Sequence, residues 1–124
     1  MKRIGFSCLA LAVVAHPGTP AAAPPAYTGH DLARSAAVYE RARHEGKFRN
    51  EQEERQVNYF VGYVEGAALA SRKLCIPSQR GTREQMGEIT ANYLRQHPRE
   101  WHLAPDTLVV KALQPAFSCS KPRR

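Results

Sequence analysis

The sequence has no apolar run long enough to cross a bilayer. The longest, Ile4 to Ala15, covers about 12 residues, against roughly 20 for a spanning helix. It has no HExxH and no paired-cysteine motif, which removes the common zinc arrangements. Ser71, Ser78 and Ser118 lie in no nucleophile elbow. Nothing alternates with period two for long enough to argue a strand, and Thr107 to Val110 is the one β-leaning patch. There is no internal repeat. Cysteine is scarce, at three in 124 residues. Excess charge is modest, a formal +7, and acids are mixed with bases along Glu51 to Arg55 and Arg83 to Glu88. That mixture belongs to solvated helix faces and not to the one-sided basic stripe of a nucleic-acid binder.

What is present begins with an export signal. Lys2 and Arg3 precede the apolar run, and His16, Pro17, Gly18 and Pro20 break it. Ala21, Ala22 and Ala23 then offer small residues for cleavage. Residues 1–23 are therefore expected to be a signal peptide, with a cut after Ala15 as an alternative because Pro24 is a poor residue just after a cut. Cys8 precedes most of the apolar run, so it is not placed as a lipoprotein cysteine would be. Without the signal the charge falls to about +5, since Lys2 and Arg3 are lost. The mature chain has room for one domain. It retains two cysteines, Cys75 and Cys119. In an exported domain these most simply form one disulfide; two buried free thiols are the alternative. The loop so closed spans 44 residues (119 minus 75), for which the chain-entropy model gives about 4 kcal/mol.

The remaining pattern is helical. Residues 24–29 read as a flexible arm, 30–119 as a helical domain and 120–124 as a basic tail. A first helix is expected from Asp31, with Leu32, Ala36 and Tyr39 on one face and Gly46 as its stop. A second fits Glu51 to about Lys73, its stripe formed by Val57, Phe60, Val61, Val64, Ala67, Ala68 and Leu74. Gly62 and Gly66 interrupt it at a cost of about 1 kcal/mol each, and close approach of another helix is the simplest compensation. Thr82, with Gln85 three residues on, reads as a capping box opening a third helix that runs to Gln96 and buries Met86, Ile89, Tyr93 and Leu94. A fourth starts at Pro105, packs Leu108, Val109, Ala112 and Leu113, and is limited by Pro115. The fold class expected is all-α, a small bundle of four to five short helices with one disulfide.

Catalytic chemistry finds little support. His97 and His102 flank Trp101, and a metal would need a third ligand such as Glu100 or Asp106. The plainer reading has His97 capping the third helix and His102 packed at a loop. Glu53 and Glu54 are adjacent and point to different helix faces. No catalytic residue, metal or cofactor is assigned. The polar loop from Ser78 to Arg83, bounded by the expected disulfide, could instead enter a partner's groove as a short rigid feature. Ser78, Gln79, Arg80 and Arg83 are its candidate contacts. Tyr63, Tyr59 and Trp101 could join them, although for Tyr63 core packing is the stronger expectation.

Several short pieces then fall into one order: Gly62-Tyr63-Val64-Glu65-Gly66, Cys75-Ile76-Pro77, Gly81-Thr82 with Gln85, Tyr93-Leu94, His97-Pro98, Leu103, Leu108-Val109, Ala112-Leu113, and Ala116-Phe117 before Cys119. Over Asn58 to Cys119 this resembles the Rap1a/Tai immunity protein family, with Asp31-Leu32 resembling its opening motif. The resemblance implies a small helical periplasmic protein that binds and neutralises a peptidoglycan amidase toxin delivered by type VI secretion. It implies a protein partner, and members of this kind can be homodimers. Relatives often carry two further cysteines where this chain has Ser35-Ala36 and Phe60. Their joint absence is what a pair bonded to each other would leave, with Cys75 to Cys119 remaining. Ser118 stands where the last motif usually has Pro. The alternatives are a general envelope stress or chaperone-like helical protein and, more distantly, a small hydrolase using His97 and His102.

Overall fold

The computed structural model describes residues 17–18, 26–79 and 82–119. Most of the expected signal peptide, the basic tail and Arg80 lie outside the described residues. Four α-helices form the body: α1 (Gly29–Glu45), α2 (Glu51–Ala70), α3 (Thr82–Gln96) and α4 (Pro105–Phe117), with a 3-10 turn at Pro98–Glu100. α1 packs on α2 and α3, α2 on α3 and α4, and α3 on α4. The one described β-bridge is antiparallel and joins Leu74 to Ser118. The architecture is the expected all-α bundle.

α1 begins two residues before Asp31. The Thr28 hydroxyl accepts from the Asp31 N–H, and the Asp31 carboxylate accepts from the Thr28 N–H, so the first turn is closed reciprocally. Gly46 ends it at φ 70°, a left-handed conformation that a residue without Cβ adopts freely. Asn50 caps α2, and Glu51, Glu53 and Glu54 in its first turn complement the helix dipole. α2 stops at Ala70 and not near Lys73. Ser71 turns extended there, its hydroxyl accepting from the Lys73 N–H. Leu74 is buried as expected, but from the bridge and not from the helix. Thr82 makes no capping box in the expected sense. It is the first residue of α3, and its hydroxyl donates to the carbonyls of Gln79 and Pro77. Met86 and Leu94 are buried as expected, Ile89 and Tyr93 are half-buried, and the small residues Gly87, Thr90 and Ala91 are buried as well. Pro115 sits within α4, which continues to bury Phe117.

The core is Leu32, Phe60, Val64, Leu94, Leu108, Val109 and Leu113, each at most 1% exposed. Every helix contributes to it, so no helix is stable apart from the others. Trp101 closes one end by donating from Nε1 to the Leu94 carbonyl at 2.8 Å.

The glycines reverse one expectation. Gly62 and Gly66 are exposed, and a Cβ on either would meet nothing within 4 Å. The close approaches are elsewhere. A Cβ on Gly87 would lie 2.9 Å from the Tyr39 hydroxyl, where α3 crosses α1. One on Gly29 would lie 2.4 Å from the carbonyl oxygens of Trp101 and Leu103. Gly62→Ala and Gly66→Ala should therefore each stabilise the chain by about 1 kcal/mol in urea unfolding. Gly87→Ala should destabilise it, and Gly29→Ala more so, because backbone oxygens yield less easily than a tyrosine ring.

Ion pairs lace the surface. Arg41 bonds Glu45 at 2.8 Å and Glu53 at 2.5 Å, and Arg49 bonds Glu45 at 2.8 Å, which clasps the turn between α1 and α2. The Arg49 side chain holds the Glu45 carboxyl below its ordinary range, and the Arg49 backbone N–H followed by Arg41 does the same for Glu53. Asp31, bonded by Thr28, and Glu100, bonded by Tyr93 and Lys111, shift in the same direction. A carboxyl lowered in the folded state stabilises above its unfolded pKa of about 4 and loses that contribution as pH falls through its folded pKa. Stability should fall steadily on acidification below about pH 5. In urea unfolding across that range, Glu53→Gln should show a shallower acid slope than the parent.

Candidate protein-binding surface

The residues singled out in the sequence do not form one patch. Ser78, Gln79 and Arg83 are brought together, around a cleft of about 250 Å³ between the end of α2, the 76–79 segment and the start of α3. Glu65, Leu69 and Met86 complete its wall. Arg80 belongs to the same loop by sequence but lies outside the described residues. Tyr63 is on another side of α2. Its ring packs on Tyr27 at 5.1 Å and on Tyr59 at 6.2 Å. Burial raises the Tyr63 pKa, the Asp106 charge adds to that, and the group is half-buried packing.

The 75–79 segment is held at both ends. On its outer side Thr82 fixes the Pro77 and Gln79 carbonyls. On its inner side the Cys75 N–H donates to the Phe117 carbonyl at 2.8 Å, and Cys75 is bonded to Cys119 with the two Cα atoms 4.9 Å apart. Arg83 is paired with Glu65, Nε to Oε2 at 3.1 Å, at the wall of the cleft, with its side chain still 53% exposed. A short segment so tied loses little conformational entropy on docking. The cleft mixes apolar Leu69, Ile76 and Met86 with polar Ser78, Gln79 and the ion pair, a composition for holding a protein surface.

Sequence reasoning missed Leu69 and Glu65. Leu69 is 65% exposed, the most exposed large apolar side chain described. The signal was available: it falls outside the stripe Val57–Phe60–Val61–Val64–Ala67–Ala68 and so could not face the same core.

The histidines are occupied separately. His97 Nδ1 donates to the Tyr93 carbonyl at 2.8 Å, and its ring stacks on Tyr93 with centroids 4.1 Å apart. His102 Nδ1 donates to the Arg99 carbonyl at 2.9 Å. Among the described residues no three or more His, Cys, Asp or Glu side chains gather as a metal site would. No described helix is long and apolar enough to cross a membrane.

A family model described as Rap1a immunity proteins matches residues 28–119. The chain belongs to that family. No curated protein and no solved structure matches it. The matched span of this Rap1a-family chain starts on Thr28, the residue that caps α1, and ends on Cys119, the residue that closes the disulfide. The family unit and the folded body therefore coincide. They take in α1, beyond the motifs from Asn58 onward that carried the resemblance.

Reduction should loosen the Rap1a body at one place first. Cys75→Ser with Cys119→Ser should lower stability by about 4 kcal/mol at most. In hydrogen exchange, the 74–79 segment and the last turn of α4 should lose protection before the centre of α3 does.

Proposed function

We propose that this chain is a periplasmic immunity protein that binds and neutralises a secreted peptidoglycan amidase delivered by type VI secretion. The observation that carries the reading is the family match across the whole folded body, with a fixed loop and cleft at one end of α2. Family membership supplies the coarse statement, an immunity protein against a protein effector. The finer parts rest on other supports. Lys2, Arg3 and the apolar run to Ala15 support export. The bond between Cys75 and Cys119 suits an oxidising compartment. A peptidoglycan hydrolase works in that compartment, so a cell carrying one needs its inhibitor there.

Neutralisation in this reading is steric. The loop with Ser78, Gln79, Arg80 and Arg83 enters the substrate groove of the hydrolase, and the surrounding surface seals it. An interface of standard size, about 1,600 Å² in total, suffices. Because the 76–79 segment is tied before contact, the energy of docking goes into affinity and not into ordering that segment. The chain's own role is to bind, and it needs no catalytic group.

The test is co-purification with the amidase encoded beside the gene, together with survival of cells that receive it. A tight complex and protection are expected. Ser78→Trp with Gln79→Trp should weaken the complex by about a hundredfold with an unchanged thermal melt, since the loop is exposed. No complex and no protection would remove the reading.

A further inference from the structure

Charge is spread unevenly along the chain, and the disulfide gathers it. No Asp or Glu occurs from Gly66 to Arg83, and none follows Asp106. These two acid-free stretches hold eight bases. The rest of the chain after residue 23 holds eight bases against eleven acids. The positive excess of the domain therefore comes wholly from the two stretches. They are distant in sequence, but the bond between Cys75 and Cys119 joins them, with the Cα atoms 4.9 Å apart.

Arg72 and Lys73 are exposed and lie three and two residues before Cys75. Neither pairs with a carboxylate among the described residues, whereas Arg34, Arg43, Arg55 and Arg95 each do. Lys121, Arg123 and Arg124 follow Cys119 within five residues. At no more than about 3.6 Å per residue, covalent reach alone keeps them within about 18 Å of it. Five positive charges are thus confined to one end of the body, where they repel one another. On the helices beside this end, Glu65 is already held by Arg83 at 3.1 Å, and Glu84 stands in the first turn of α3. The 76–79 segment leaves the body at the same end, directly after Cys75.

We propose that the partner protein's surface around the docking loop is acidic, and that this basic pole draws it in and orients it. The inference rests on the immunity reading and adds to it the charge of the partner's face. Arg72 and Lys73 are fixed by no described carboxylate, so the pole acts at long range and not through a set hydrogen-bond geometry. It raises the rate of encounter and turns the loop toward the partner before contact. A Debye length of about 8 Å at physiological salt lets neighbouring charges of the pole act together, and higher salt screens them. A protein suits the position better than a bilayer does, because a bilayer seated on the pole would cover the loop.

Stopped-flow mixing of the full chain with the amidase encoded beside the gene reads the association rate. That rate should fall about tenfold or more between low salt and about 0.5 M sodium chloride, with dissociation changed much less. Arg72→Gln with Lys73→Gln should slow association at low salt by about threefold to tenfold and flatten its salt dependence. Lys121→Gln with Arg123→Gln should do the same. Arg34→Gln with Arg55→Gln removes equal charge from exposed helix faces elsewhere and should slow association little. Circular dichroism should be unchanged in all three. A complex that forms at a salt-independent rate, or that slows equally with the Arg34 and Arg55 pair, would overturn the proposal and leave the immunity reading standing. No complex at any salt would end both. Association untouched by the pole variants, with phosphatidylglycerol vesicles capturing the parent chain and not those variants, would overturn it too and give the pole to a membrane.

Discussion

The short tie between residues 74–75 and 117–119 is the constraint on which the rest of the molecule depends. Three links fall on consecutive residues: the Leu74–Ser118 bridge, the bond from the Cys75 N–H to the Phe117 carbonyl, and the disulfide between Cys75 and Cys119. Leu74 and Phe117 are buried beside it, so it is anchored in the core and not draped on the surface. The tie ends α2 at Ala70, because the chain must straighten to reach α4. It also sets where the 76–79 segment leaves the body, and with it the wall of the cleft. In a domain of this size, a link that closes 44 residues contributes on the scale of the total stability.

Much of this could be read in the sequence, for physical reasons that differ from element to element. Periodicity gave all four helices, because each buries one face and the buried positions recur every three or four residues. Ends were legible where a side chain or a special backbone angle makes them. Gly46 and Pro105 mark such ends. Thr28 was also a marker, since Thr28 with Asp31 has capping-box spacing, and the start was instead placed at Asp31. The end of α2 was not legible. Nothing between Ser71 and Lys73 breaks a helix, and the stop comes from a partner more than forty residues away. Pro115 misled in the opposite way: a proline near the end of a helix removes one bond, and burial of Phe117 outweighs that loss.

The glycines show why local cost is an ambiguous signal. A helical glycine announces that something favours a missing side chain, but not what. At Gly87 the reason is the Tyr39 ring of α1, and at Gly29 it is the pair of carbonyls from Trp101 and Leu103. Neither was marked in advance, because neither belongs to a repeated spacing. The spaced pair, Gly62 and Gly66, drew attention and has no such reason inside the chain. Partial legibility of the candidate site has the same root. Ser78, Gln79 and Arg83 were found as a run of polar residues, which sequence records. Leu69 and Glu65 join them only because α2 passes under the loop, and Tyr63 leaves them because a helix turns it toward Tyr27.

α2 presents two unlike faces. Its inner stripe, Val57, Phe60, Val64 and Ala68, is committed to the core. Were its outer face solvated in the ordinary way, charge would be expected along it, as it is along α1 and α3. Instead the charges stop at Arg55 and resume at Arg72, leaving a middle of glycine, tyrosine and leucine apart from Asn58 and Glu65 at its edges. A single apolar side chain on a surface needs no explanation. Here Tyr59 packs on Tyr27 and Tyr63, and the two glycines are open. Family membership implies a protein effector as partner, and the exposed Leu69 at the end of this middle stretch lines the cleft beside Ser78 and Gln79.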